Sequence, residues 1–248
     1  AAPAVAFEHV CLTYPNAGGE SLSDISFTVP RGSVFGIIGG TGSGKSTVVN
    51  LIPRFYDASA GQVCFFGQDV RKYRRKELRN QIGIVPQKAV LFAGTVRENM
   101  QWGKKDATDE EIWEALKTAQ AEEFIRAKEG GLDANIEQGG RNLSGGQRQR
   151  LTIARALVKK PRVLILDDSA SALDYATDAA LRKAIRQMEG APTVFIVSQR
   201  TSSLMSADRI LVLDDGEATG YGTHEELLKN CQTYREIYNS QYGKKEEA

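Results

Sequence analysis

Cysteine is scarce: Cys11, Cys64 and Cys231 are odd in number, widely separated and without metal-ligand spacing, which excludes a disulfide framework. A reducing, cytosolic setting is expected. Charge imbalance is missing too. Thirty-two basic residues stand against 31 acidic ones, which removes any global electrostatic case for nucleic acid or an anionic membrane as a partner. No stretch approaches the ~20 apolar residues of a bilayer span. The start at Ala1-Ala2-Pro3 has neither the basic flank nor the hydrophobic run of a secretory signal. The chain is therefore expected to be soluble, a single elaborated domain over residues 1–248, with its function in local sites.

What is present is a pattern of short strands and helices. Val5 to Thr13, Ile25 to Val29 and Val63 to Phe66 are β-rich, flank a Gly-rich turn and predict a small antiparallel sheet near the N-terminus. Buried-type runs at Val34 to Ile38, Val163 to Leu166, Thr193 to Val197 and Ile210 to Leu213 are each followed by turn signals and helical segments. That alternation predicts a mostly parallel sheet covered by helices. Between Thr108 and Lys160 the pattern is helix after helix with no strand candidate, so a helical subdomain, about residues 88–160, is expected inside the α/β core. The basic stretch from Arg71 to Arg79 reads as a solvated helix face.

Gly39-Gly40-Thr41-Gly42-Ser43-Gly44-Lys45-Ser46-Thr47 follows an apolar strand and opens a helical pattern, the context that a phosphate-binding loop requires. Glycines let the backbone amides turn inward, and the following helix offers unpaired N–H groups to an anion. Lys45 would neutralise β- and γ-phosphates and the Ser46 hydroxyl would bind Mg²⁺. Asp167, ending the Val163 to Leu166 run, supplies the expected second metal contact. The fold class is accordingly α/β: a P-loop NTPase core with an N-terminal antiparallel β subdomain and an inserted helical subdomain.

Leu143-Ser144-Gly145-Gly146-Gln147 looks like an ordinary helix start, with capping-box spacing between Ser144 and Gln147. Capping leaves Gly145 and Gly146 unexplained, since each costs about 1 kcal/mol relative to alanine in a helix. They make sense where another group approaches the backbone, and the exposed amides with Ser144 suit a phosphate.

Taken with the strand ending in Asp167, Ser171 to Asp174 and Val85-Pro86-Gln87, these segments resemble the nucleotide-binding domain of ABC transporters along essentially the whole chain. Leu91 to Met100 and Gly222 to Leu228 resemble the exporter branch. The resemblance implies ATP and Mg²⁺ as ligands, with ATP held between the phosphate loop of one domain and the Ser144 to Gln147 segment of a second. It implies that Tyr14 stacks on adenine, that Gln87 contacts Mg²⁺ and relays to transmembrane coupling helices, and that Asp174 lies at the dimer seam. Gly139 to Arg141 has a family counterpart contacting the membrane domain, although Glu137-Gln138 departs from the commoner Gly-Glu.

Two departures concern chemistry. The family places a glutamate, its catalytic base, directly after the strand-ending aspartate; here the residue is Asp168. Its carboxylate sits roughly 1.5 Å closer to the backbone, and an ~1 Å misplacement can cost about 10²-fold in rate. The strand from Thr193 should be followed by Ser-His and reads Ser198-Gln199. Gln199 exchanges hydrogen bonds but cannot carry an imidazolium charge. His224 is no substitute, because Thr223 and Glu226 around it read as a capping box. With phosphate loop and signature intact, nucleotide binding is expected to survive and hydrolysis to suffer, as in heterodimeric exporters with one degenerate site. The expected partners are a second, different nucleotide-binding subunit and a transmembrane domain at the cytoplasmic face of a membrane, with no nucleic acid. The alternatives are a non-hydrolysing regulatory or dimerisation module and a soluble ABC protein acting on DNA or ribosomes; the latter kind usually joins two such domains or carries long insertions.

Overall fold

The structure, a computed structural model, describes residues 1–169 and 171–243; Ala170, inside the Leu164 to Asp174 stretch, lies outside them. Contacts divide the chain into two units, residues 1–79 with 193–248 and residues 80–192.

The first unit begins with β1 (Val5–Leu12), β2 (Leu22–Val29), β3 (Val34–Ile38), α1 (Lys45–Leu51), β4 (Ala60–Phe65), β5 (Gln68–Asp69) and α2 (Arg75–Asn80). The expected antiparallel sheet has the order β2-β1-β4-β5. Alternation in β1 and β2 puts Phe7 opposite Phe27, their rings stacked at 4.5 Å, and Phe27 stacks in turn on Phe35 of β3 at 5.0 Å. This aromatic column joins the antiparallel sheet to the strand that delivers the phosphate loop. The Arg71 to Arg79 stretch is only partly the solvated face expected of it. Arg71 chelates Asp69, while Arg79 donates to the Pro53 and Arg54 carbonyls and lies over the Phe55 ring.

The second unit comprises β6 (Ile82–Val85), β7 (Gly94–Thr95), α3 (Val96–Gln101), α4 (Asp109–Thr118), α5 (Glu122–Arg126), β8 (Asn135–Ile136), α6 (Gly145–Leu157), β9 (Val163–Asp167) and α7 (Tyr175–Arg186). β6 and β9 are parallel neighbours. Helices predominate between Thr108 and Lys160, but the expectation of no strand there is corrected: β8 pairs with β7 in a short antiparallel ribbon. Two residues per strand are too few to show alternation in sequence. Capping boxes at Thr95/Glu98 and Thr108/Glu111 start α3 and α4, and Ile112, Leu116, Ile125, Leu151 and Ile153 are buried.

The chain then returns to the first unit through β10 (Thr193–Ser198), β11 (Arg209–Asp214), β12 (Glu217–Gly222), α8 (His224–Asn230) and α9 (Gln232–Tyr242). β10 and β11 flank β3 in parallel, and β12 pairs antiparallel with β11. Residues 193–198 are buried throughout, as expected for a parallel strand covered on both faces. The predicted Thr223/Glu226 capping box starts α8.

Candidate functional site

In the first unit Ile38 of β3 pairs with Ser198 of β10. The next residues, Gly39 and Gln199, therefore leave the sheet side by side at its carboxyl edge, where open α/β sheets bind ligands. A Cβ on Gly39 would meet Ser43 Oγ at 2.3 Å and the Leu213 carbonyl oxygen at 2.5 Å, so only glycine fits. Gly44 has φ 106°, in the glycine-favouring region, and its successor Lys45 begins α1. Gly40 and Gly42 face open space. Lys45 Nζ donates to the carbonyls of Gly39 (2.6 Å) and Gly40 (2.8 Å), which holds a positive charge against the loop backbone. Ser43 is 4% exposed and its hydroxyl has no hydrogen-bond partner in the protein. A buried orphan of this kind needs a polar partner, and a loop of glycine amides, one lysine and hydroxyls fits a polyphosphate.

Two further residues converge on this loop. Gln199 Nε2 lies 3.4 Å from the Thr41 hydroxyl, so the side chain that follows β10 faces the phosphate loop. The Tyr14 and Thr47 hydroxyls are 2.8 Å apart, and Tyr14 packs edge-on against Tyr56 at 4.8 Å. Ser46 is exposed at the start of α1.

The second unit repeats the strand-end logic. Val85 of β6 pairs with Leu166 of β9, so Gln87 and the pair Asp167-Asp168 follow the carboxyl ends of neighbouring parallel strands. Gln87 is exposed and both aspartates are half-buried. Asp168 has φ 47°, a left-handed conformation that aspartate adopts more readily than most residues. The Asp167 carboxylate and the Gln87 amide oxygen are hard donors of the kind Mg²⁺ takes.

Ser144 caps α6 as its sequence predicts. Its hydroxyl accepts from Gln147 N–H and the Gln147 side chain accepts from Ser144 N–H, both at 3.1 Å. The two glycines differ. A Cβ on Gly146 would approach the Ala172 carbonyl oxygen to 3.2 Å, whereas one on Gly145 would make only ordinary contacts at 3.7 Å. Gly146 is thus explained in part by its own chain, and Gly145 is not. Asp174 caps α7, accepting from Thr177 N–H and Thr177 Oγ1 at 2.8 Å each. Those two donors hold its carboxyl below the usual carboxylate range. Arg150 donates to the Gly146 and Gln120 carbonyls, and burial lowers its pKa.

Several supports carry no sequence signal. Asn99 Nδ2 donates to the Phe92 and Thr95 carbonyls while its Oδ1 accepts from Phe92 N–H. Arg155 of α6 donates to the Val90 carbonyl. These bonds fix the loop before α3, in which Val90 and Phe92 are exposed; Trp102, at the C-terminal end of α3, is exposed too, its ring 4.9 Å from that of Phe92.

A family model described as "ABC transporter" matches residues 22–171. An uncharacterised ABC transporter ATP-binding protein of Mycobacterium bovis is 47% identical over 232 residues, 92% of this chain and 40% of that protein. A probable multidrug resistance ABC transporter ATP-binding/permease protein of Bacillus subtilis is 45% identical over 237 residues, 96% of this chain and 40% of that protein. A solved structure of a bacterial Atm1-family ABC exporter with ATP bound superposes with a TM-score of 0.90 at 37% identity, covering 97% of this chain and 42% of that one. The chain spans about two fifths of the length of the relatives it matches.

Proposed function

The chain belongs to the ABC transporter family as an ATP-binding domain of exporter type, and we propose that it is the motor domain of a heterodimeric exporter whose own composite site is degenerate. The observation that carries this reading is Asp168, a shortened carboxylate in left-handed backbone directly after the strand-ending Asp167. A general base contributes about 10²–10⁴-fold, and a carboxylate set back toward the main chain forfeits much of that.

In this reading Lys45 and the amides of Gly39 to Thr47 hold the phosphates of ATP, Tyr14 supports the base, and Gln199 stands at the γ-phosphate as an uncharged hydrogen-bonding group. Ser46, Gln87 and Asp167 would hold Mg²⁺, which when bound neutralises charge on the β- and γ-phosphates. Ser144 to Gln147 would complete the competent site of a different subunit, approached over Gly145, where an added Cβ would make only ordinary contacts within the chain. Asp174 would lie at that seam beside Tyr175, which is 90% exposed. The exposed pair Phe92 and Trp102 would receive transmembrane coupling helices, with Gln87 nearby in sequence. No helix among the described residues is long and apolar enough to cross a membrane. In this reading the membrane domain is another part of the exporter, and this domain sits at its cytoplasmic face.

The test is ATP turnover by this chain alone and after titration into the purified partner. Slow turnover alone and strong stimulation of the partner are expected. Fast turnover alone that Lys45→Ala abolishes would refute the degenerate site.

A further inference from the structure

The segment after β10 is held from the far end of the chain. Gln241, in the last turn of α9, donates through Nε2 to the Gln199 carbonyl at 2.6 Å. Its Oε1 accepts from both Thr201 N–H and Thr201 Oγ1 at 2.9 Å. Thr201 is fully buried, and Arg200 N–H is taken by Ser198 Oγ at 3.0 Å. Two of these three backbone positions are thus fixed by one side chain 40 or more residues away.

The support is itself anchored. Tyr234 of α9 is fully buried and its hydroxyl meets His224 Nδ1, while Tyr238 packs on the His224 ring at 5.6 Å. Gln241 therefore extends from a fastened helix. A side chain keeps functional geometry only when the group behind it is locked, and the amide of Gln199 reaches Thr41 of the phosphate loop only at 3.4 Å, the limit of a hydrogen bond. A small shift of the Gln199 backbone would break it.

We propose that Gln241 is a positioning residue: from the C-terminal helix it sets the backbone of Gln199 so that the Gln199 amide reaches the phosphate loop and distinguishes a nucleotide with a γ-phosphate from one without. The inference rests on the reading of this chain as an ATP-binding domain. It assigns to α9, which carries none of the nucleotide motifs, a direct mechanical link to Gln199.

The selective variant is Gln241→Glu. It keeps an acceptor for both Thr201 donors and replaces only the donor to Gln199 with a repelling oxygen. Calorimetry on the whole chain, with Mg²⁺ and either ADP or a non-hydrolysable ATP analogue, gives the preference for the triphosphate. A neutral hydrogen bond of about 1 kcal/mol corresponds to about a fivefold change in affinity. Gln199→Ala and Gln241→Glu should each lower the preference about fivefold, with ADP affinity in Gln241→Glu within twofold of wild type. The double variant should lose no more than either single one, the non-additivity of groups acting in series. Thr201→Val, which removes the hydroxyl bond but leaves the Gln199 bond, should keep the preference. A purely structural role would lower it in Thr201→Val as well.

Should Gln241→Glu fail to fold, Gln241→Met, of similar length and without the donor, should show the same loss. A preference unchanged in the folded Gln241 variant overturns the proposal, as does one unchanged in Gln199→Ala. If Gln199→Ala lowers the preference and Gln241→Glu does not, only this inference fails. If the wild-type chain binds neither nucleotide, the ATP-binding reading fails and the inference with it.

Discussion

Ala172 N–H donates to Gln149 Oε1 at 3.1 Å. Gln149 is buried on α6, so this bond fastens the helix that begins at Gly145 to the loop that runs into Asp174. The two segments proposed to meet a partner subunit are therefore braced against each other within one unit, and a substitution in either is read through a shared support.

Gly145 and Gly146 should separate under substitution. Gly145→Ala makes ordinary contacts at 3.7 Å and gains helix propensity of about 1 kcal/mol, so its urea midpoint should equal or exceed wild type. Gly146→Ala presses on the Ala172 carbonyl at 3.2 Å and should be less stable than Gly145→Ala. Gly145→Asp should leave ATP binding at this chain's own phosphate loop nearly intact yet suppress hydrolysis by the partner, because an anion would face the γ-phosphate. If Gly145→Asp stimulates the partner's ATPase as well as wild type does, the cross-subunit role of Ser144 to Gln147 is wrong.

Lys45→Ala should weaken ATP binding. A charge-assisted hydrogen bond is worth about 1.5–3 kcal/mol, or about 10–150-fold in affinity. The loop itself should persist, since Gly39 and Ser43 are packed against each other and Gly216 N–H still donates to the Ser43 carbonyl at 2.9 Å. Isothermal titration reads the loss, and an unchanged dissociation constant would remove Lys45 from the site.

How much of this was legible in sequence depended on whether the information was local. The phosphate loop, the Ser144 capping box and the Thr223 capping box are each contained within a few residues, and all three segments adopt the local structure their spacing predicts. β6 carries no strand signal of its own, because four residues, Ile82 to Val85, are too few for periodicity to distinguish strand from helix. Arg79 read as solvated because its acceptors are the carbonyls of Pro53 and Arg54, which no side-chain pattern records. Gln241 was invisible for the same reason, as its partners lie 40 and 42 residues away.

The His224–Tyr234 pair should make stability depend on pH at both ends. Burial pushes the His224 imidazole below its usual value, so the unfolded chain takes up the proton first as pH falls. Stability is then full above about pH 6.5, the ordinary histidine value, and declines below it toward the folded pKa. Burial pushes the Tyr234 phenol up to about 12, so the unfolded chain ionises first as pH rises, and stability falls between about pH 10 and that value. Urea midpoints across pH should show both declines, with the alkaline one reduced in Tyr234→Phe. An acid decline unaltered in His224→Gln would locate that titration elsewhere.

Repair of the proposed degenerate site is the sharpest test of the proposed function. Asp168→Glu extends the carboxylate by one carbon–carbon bond, roughly 1.5 Å, and Gln199→His restores a group that can be charged near the phosphate loop. Neither position is held solely by the side chain being replaced: the Gln199 carbonyl stays bonded to Gln241, and Asp168 sits at a strand end fixed by the pairing of Leu166 with Val85. Glutamate is less at ease than aspartate at φ 47°, so a small loss of stability should accompany the first change. ATPase of the double variant in the heterodimer should rise above wild type by up to the ~10²–10⁴-fold of a positioned base, provided that the partner's signature segment closes over the site. The added turnover should disappear with Lys45→Ala in this chain and persist when only the partner's own base is removed. A rise that instead vanishes with the partner's base would show that the gain belongs to the opposite site, and no rise at all in a correctly assembled heterodimer would mean that Asp168 and Gln199 do not limit hydrolysis here.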